Sequence, residues 1–197
     1  MIRTATASDE AAVISALVLA FSTDPAVRWT WPDPQQYLQN FPPFIKAFGG
    51  RAFAAGSAYV APDFAGAALW LPPGADIDDE GVTDIVESTV SKRAENDVFP
   101  LLEAMGRHHP QEPHWYLPLI GVDPSRQNQG HGEALMKHAL AACDRDGHPA
   151  YLESTNPRNV PLYERHGFRV LARLQVGSSP PIFPMLREPR IHGMPAA

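Results

Sequence analysis

The run His114–Val122, HWYLPLIGV, is almost wholly apolar and carries a proline at its centre. Such a run reads as a buried strand. Pro118 has no N–H to give to a ladder, so the strand must contain a bulge or stay locally unpaired there. It leads into VDPSRQNQGHGEAL, residues 122–135, which stays polar until a helical pattern begins at Gly132. A broken apolar strand, a loop with Gly130 and Gly132, and then a helix constrain the centre of the fold more than any other feature.

The flanking patterns fill in the rest. Residues 2–6 read as a short strand. Residues 8–21 read as a helix capped by Ser8, with Val13, Ile14, Leu17, Val18 and Phe21 on one face. Residues 22–34 read as a loop bearing Trp29 and Trp31. Asp33-Pro34 is a helix start, and Pro42-Pro43 should break or kink that helix before it resumes at Phe44. Residues 51–62 and 66–74 look like a strand pair. Residues 79–108 read as helical, interrupted near 96–100. The helix from Gly132 to Arg145 turns Leu135, Met136, Ala139, Leu140 and Cys143 inward. A strand at 150–154, a short helix ending at Gly167, and strands at 168–176 and 182–186 follow. This order indicates an α+β, α/β-type domain around a mixed sheet, spanning residues 1–187, with 188–197 as a loose tail.

Bulk properties narrow the function. The chain has 197 residues and a formal net charge of −6, with 16 Lys and Arg and no basic block, so nucleic acid is not expected as a partner. No apolar run approaches a membrane span, and the first ten residues lack the pattern of a secretion signal. With one cysteine, Cys143, no internal disulfide or cysteine-based metal site can form, and a cytoplasmic setting is expected.

The loop after the broken strand admits two readings. One is a glycine-rich turn. The other is an anion site: the first N–H groups of a helix lack partners, and glycines let a phosphate approach the backbone. The spacing Q-x-x-G-x-G, from Gln127 to Gly132, fits neither the dinucleotide fingerprint nor the P-loop.

VDPSRQNQGHGEAL resembles the acetyl-CoA signature of the GNAT N-acetyltransferase family, and YLESTNPRNVPLYERHGF resembles the segment that follows it there. Residues 115–170 carry the resemblance. HWYLPLIGV, LWLPPG and AFSTDPAVRWT look closest to the puromycin N-acetyltransferase branch. The resemblance implies a GNAT fold: a mixed, mostly antiparallel central sheet splayed at a bulge and flanked by helices. It implies acetyl-CoA as cosubstrate, its pantetheine paired with the backbone of Leu119, Ile120, Gly121 and Val122. The pyrophosphate would rest on N–H groups of Gln127, Asn128, Gln129, Gly130, His131, Gly132 and Glu133. Asn128 stands where the family often has glycine or a basic residue.

The chemistry needs a neutral amine, a polarised carbonyl and a proton for the departing thiolate. The resemblance puts Tyr163 beside the sulfur as general acid; alone, it reads as a core tyrosine. Glu153 is either the base, acting through water, or a carboxylate paired with Arg158 or Arg165. Asn159 caps its helix or also bonds the cosubstrate. Trp29 and Trp31 are either core or walls of the acceptor pocket. His108, His109 and His114 lack metal-site spacing and read as a solvated loop; no metal is expected. A small-molecule amine is the expected substrate. A protein or peptide acceptor and a non-catalytic acyl-CoA-binding domain are the alternatives, and the chain is expected to be a monomer or homodimer.

Overall fold

The computed structural model describes residues 1–190. Seven strands form one sheet: β1 (Arg3–Thr4), β2 (Ala58–Val60), β3 (Gly66–Leu71), β4 (Trp115–Val122), β5 (Ala150–Ser154), β6 (Arg169–Val170) and β7 (Phe183–Arg187). Their order is β1-β2-β3-β4-β5-β7-β6, and every pair is antiparallel except β4 with β5. Eight helices cover it: α1 (Glu10–Ala20), α2 (Pro25–Thr30), α3 (Pro34–Gly49), α4 (Arg51–Ala54), α5 (Asp79–Thr89), α6 (Glu95–Gly106), α7 (His131–Asp146) and α8 (Val160–Arg165). The parallel β4–β5 pair needs a crossover, and α7 supplies it.

Side chains leave β3 and β4 to alternate faces. Ala67, Leu69 and Leu71 join Leu17, Phe41 and Ile45 under α1 and α3. Ala68, Trp70, Trp115 and Leu117 join Leu135, Met136 and Ala139 under α7. A third cluster packs Trp29 and Ile182 against Val82 and Val86 of α5 and Val98 and Leu101 of α6.

The alternation fails at Pro118, as its missing N–H requires. Tyr116 and Leu119 both face α1 and α3, although they stand three positions apart. The ladder gives the same result: Leu69 opposes Leu119 and Leu71 opposes Tyr116, so Leu117 and Pro118 of β4 stand against Trp70 alone of β3. On its other edge β4 pairs with β5 only at Trp115–Ala150, Tyr116–Tyr151 and Leu117–Leu152. Beyond Leu117 the strands separate, and Glu153 and Ser154 pair with β7 alone.

Several local expectations need correction. Residues 51–54 are helical, because Arg51, Ala52 and Ala54 are good helix formers continuing from α3, and β2 begins only at Ala58. The helix α3 runs through Pro42 and Pro43. Burial of Phe41 and Ile45 and stacking among Phe41, Phe44 and Phe48 outweigh the missing N–H groups. Ser8 is not the cap of the first helix; the Thr6 N–H donates to Asp9 Oδ2 at 2.8 Å and a 3-10 turn precedes α1. The expected interruption near 96–100 lies at 90–94, where the Ser91 N–H donates to the Thr30 carbonyl, and Pro100 sits inside α6. The strand expected over 168–176 is confined to Arg169–Val170. A loop after Val176 is held on α6 by Ser178, whose N–H and Oγ donate to Asp97 Oδ2 at 2.8 and 2.9 Å. The loose tail expected from 188 lies outside the described residues from 191 on. At Arg190 the main-chain N–H donates to Asp144 Oδ1 at 2.7 Å.

Candidate active site

The parting of β4 from β5 leaves a cleft of about 140 Å³. Its floor is Leu117 to Ile120; Leu152, Glu153, Thr155, Asn159 and Tyr163 form one wall, and Trp29, Trp31 and Phe44 the other. An apolar cavity with a few converging polar groups is the usual form of a small-molecule site.

The open edge of β4 offers a specific set of groups. The Asp123 N–H donates to the Ala65 carbonyl at 2.9 Å, so position 123 faces β3. In an antiparallel ladder alternate residues face the same way. Leu119 and Gly121 therefore face β3, while the N–H and C=O of Ile120 and Val122 face the cleft. The Gln127 side chain donates to the Val122 carbonyl at 3.3 Å, as this parity requires. The expectation that all four of Leu119, Ile120, Gly121 and Val122 offer backbone groups is corrected: Leu119 and Gly121 are engaged with β3.

Past Val122 the loop leads into α7, whose Gly132 lies beside Val122 and Leu162. Asn128 has φ +60° and Gly130 has φ +82°, two left-handed residues that curl the chain before the helix. Asn tolerates this conformation better than other non-glycine residues, so Asn128 can hold a left-handed position without a glycine. The Ala134 N–H donates to the Gly130 carbonyl at 2.9 Å, the first bond of α7. The N–H groups of His131, Gly132 and Glu133 thus precede the helical ladder. Gln127 to Gly130 are exposed, and a side chain at Gly130 would meet nothing within 4 Å. These features fit a diphosphate.

Tyr163 sits in α8, 6% exposed, and lines the cleft. Burial, and then the charge of Asp24, holds its hydroxyl well above the usual tyrosine range, so it stays protonated. Gly167, with φ +93°, ends the segment in the left-handed turn its sequence implies. Asn159 makes no capping bond, contrary to expectation. The Asn156 Oδ1 accepts from the Arg158 N–H at 3.0 Å and takes that role one turn earlier, so the Asn159 side chain is left to line the cleft.

Glu153 follows Leu152, the last residue of β5 to pair with β4, and its side chain is 5% exposed. Among the described residues it pairs with neither Arg158 nor Arg165. Its Oε2 accepts from the Tyr116 hydroxyl at 2.8 Å, and its Oε1 lies 3.8 Å from His109 Nδ1. Burial, and then the Glu153 charge, keeps the Tyr116 hydroxyl protonated.

The solvated-loop reading of the histidines fails for His109 and His114. Their Nε2 atoms are 3.0 Å apart, and the His109 ring packs edge-on against Tyr116 and Tyr151 at 4.8 Å. Residues 109–114 carry two prolines that fold the loop back onto β4 and β5, which spacing along the chain did not reveal.

Trp29 and Trp31 line the cleft and are also buried, at 9% and 2% exposure, so the core and wall readings hold together. They do not lie in a loop: Trp29 belongs to α2 and Trp31 ends it. The Asp24 carboxylate starts α2 by accepting from the Ala26 and Val27 N–H groups at 3.0 and 3.1 Å. Sequence reasoning passed over Asp24. Its signal was Asp24-Pro25, the same capping pair recognised at Asp33-Pro34. Its other oxygen accepts from Thr155 Oγ1 at 2.6 Å, tying α2 to the cleft wall, and burial raises its carboxyl above the usual range. Among the described residues no group of three His, Cys, Asp or Glu is placed to hold a metal ion, and no helix is long and apolar enough to cross a membrane.

This geometry agrees with what the chain is similar to. Residues 22–168 match the model of the acetyltransferase (GNAT) family. An uncharacterized N-acetyltransferase of Schizosaccharomyces pombe is 31% identical over 142 residues, 64% of this chain; the match spans 58% of that relative's length. A solved structure from Corynebacterium glutamicum, described as histone acetyltransferase HPA2 and related acetyltransferase, is 26% identical with a TM-score of 0.71, covering 98% of both chains. The polyamine N-acetyltransferase of Drosophila melanogaster shares the fold at a TM-score of 0.66 and 13% identity, covering 95% of this chain and 99% of its own. The chain belongs to the GNAT acetyltransferase family, whose members are acyltransferases with acetyl-CoA as cosubstrate.

Proposed function

We propose that this protein is an N-acetyltransferase that moves the acetyl group of acetyl-CoA directly to a primary amine of a small molecule. One observation carries the reading: the sheet parts at Pro118 into a cleft that holds both Glu153 and Tyr163, while Gly132 at the start of α7 lies beside Val122 and Leu162. The N–H groups at 127–133 would hold the diphosphate, and Ile120 and Val122 would pair with the pantetheine arm. Asn159 would hydrogen-bond the cosubstrate from the opposite wall. Bound there, acetyl-CoA supplies an activated acetyl carbonyl.

The protein's own groups then divide the work. Glu153 takes a proton from the ammonium form of the acceptor, through a water, and frees its lone pair. The Ile120 N–H, on the open edge of β4, donates to the carbonyl oxygen as negative charge gathers there. The nitrogen bonds to the carbonyl carbon; as the C–S bond breaks Tyr163 gives its proton to sulfur, and its phenolate takes the second proton from the acylated nitrogen, leaving an amide, a neutral thiol and a neutral Tyr163. Trp29 and Trp31 shape the acceptor side, and their aromatic faces suit a flat or cationic amine. The carboxylate at position 153 supports reading the chain as nearest to the puromycin N-acetyltransferase branch.

A peptide acceptor is the competing reading, favoured by the description of the Corynebacterium glutamicum relative. The narrow aromatic cleft favours the small amine. The test is thiol release from acetyl-CoA against puromycin, amino acids, polyamines, arylalkylamines and lysine-containing peptides. Turnover of a free amine with kcat/KM well above that of any peptide supports the proposal; turnover of peptides alone refutes it.

A further inference from the structure

Glu153 separates two spaces. One is the cleft; the other is a cavity of about 710 Å³ lined by Asp76, His109, Glu112, His114, Tyr116 and Glu153 itself. A base at 5% exposure must lose each proton it gains before the next turnover, and the cleft side is closed by aromatic residues and the substrates. The second cavity is the remaining way out.

The hydrogen bonds fix which ring nitrogens carry protons. His114 Nδ1 lies 2.8 Å from the Glu112 carbonyl oxygen. A carbonyl only accepts, so His114 Nδ1 bears the hydrogen and, in the neutral ring, Nε2 is bare. His114 Nε2 is 3.0 Å from His109 Nε2, which must then be the donor. That leaves His109 Nδ1 bare in the neutral ring, and it is this atom that faces Glu153 Oε1 at 3.8 Å. A lone pair there has no use in holding an ionised carboxylate. It is placed to receive a proton from a protonated one.

We infer that His109 and His114 form a proton relay that discharges Glu153 into the second cavity. The inference rests on Glu153 as the base. In one passage the His109 ring closes the 3.8 Å gap to hydrogen-bond distance and the Glu153 carboxyl gives its proton to His109 Nδ1. The His109 Nε2 proton moves to His114 Nε2, and the His114 Nδ1 proton leaves to water as its bond to the Glu112 carbonyl breaks. One proton enters and one departs, and tautomer exchange with water restores both rings. Tyr116 and Tyr151 pack against His109, and neither is a competing base, because burial first and the Glu153 charge second keep both hydroxyls protonated. Burial holds His114 below the usual histidine range against the opposing bond to the Glu112 carbonyl, with His109 lowering it further and Glu153 and Asp76 opposing, which favours passing its proton on. His109 and His114 are positioning and relay residues: His109 faces Glu153, and His114 reaches it only through His109.

The direct test is ¹⁵N NMR of the imidazole rings in the unaltered protein near pH 8, a measurement that does not depend on any variant folding. The expected result is a proton on Nε2 of His109 and on Nδ1 of His114; the opposite tautomer at either ring overturns the relay. The kinetic test compares His109→Ala, His114→Gln and Glu153→Gln, using the best amine of the panel above. Both histidine variants should lose roughly tenfold in kcat with KM and acetyl-CoA affinity kept. Imidazole added to the buffer should restore His109→Ala in proportion to its concentration. Unchanged kcat in both histidine variants, or a loss that imidazole does not repair, refutes the relay while leaving Glu153 as the base. Full activity in Glu153→Gln removes the base itself, a separate failure.

Discussion

Leu117 of β4 lies opposite Leu152 of β5, and they are the last pair the two strands make. One residue later in each strand stand Pro118 and Glu153. The proline that cannot continue the ladder and the carboxylate that needs room beside a substrate occupy the same level of the sheet. One break thus opens the cleft and places a candidate base in it, and the following measurements test what that arrangement does.

Replacing Tyr163 by Phe removes one hydroxyl from the cleft wall. Acetyl-CoA affinity should stay within a few-fold, while kcat falls roughly 100–10,000-fold. Because burial, and then Asp24, raises the Tyr163 hydroxyl above the ordinary value, its proton is present throughout the neutral range and is lost only as pH rises through the raised value. The kcat profile should therefore show no alkaline fall from this group below about pH 10. Full turnover by Tyr163→Phe removes it from the acid role.

Gly130→Val tests the loop. The position has φ +82°, which a β-branched residue tolerates poorly, and its side chain would point into the open space proposed for the diphosphate. Calorimetry should show the acetyl-CoA dissociation constant raised about tenfold or more, or about 1.4 kcal/mol. An unchanged constant counts against the phosphate assignment.

Asp144→Asn tests the far side of the sheet. Arg187, 3% exposed, reaches Asp144 through two bonds of 2.7 and 2.8 Å. Burial opposes ionisation of Asp144, yet the bonds from Arg187 and from the Arg190 N–H hold its carboxyl below the usual range. A lowered folded value means stability that is present above the unfolded value of about 3.9 and lost as pH falls through the folded one. Asp144→Asn leaves a buried guanidinium uncompensated and should cost about 3–5 kcal/mol at pH 7 in denaturant melts. The difference from the unaltered protein should shrink in acid.

Cys143 faces the core from α7 with no exposure, and burial pushes its thiol up to about 12. A thiol reagent at pH 8 should leave it unmodified in the folded protein and react fully once denaturant is added. Rapid modification without denaturant would contradict its place in the core.

The parts of the fold legible in the sequence are those with one dominant local cause. Pro118 announced its own bulge, and the inward face of α7 followed from the spacing of Leu135, Met136, Ala139, Leu140 and Cys143. Where the cause was tertiary, local reading failed. Pro42 and Pro43 sit inside a helix because the aromatic residues around them pack on the sheet and within α3. Trp29 and Trp31 looked like loop residues because the Asp24 cap was passed over. The His109–His114 pair was invisible because it depends on how residues 109–114 fold back on β5, not on their spacing.

The central claim is that the α7 N-terminus grips the diphosphate and leads the thioester into the gap beyond Leu117. A crystal structure with acetyl-CoA bound tests it most directly. The diphosphate should lie within hydrogen-bond distance of main-chain N–H groups between Gln127 and Glu133, the pantetheine against Ile120 and Val122, and the sulfur beside the Tyr163 hydroxyl. Acetyl-CoA found elsewhere on the protein, or the sulfur remote from both Tyr163 and Glu153, contradicts the account.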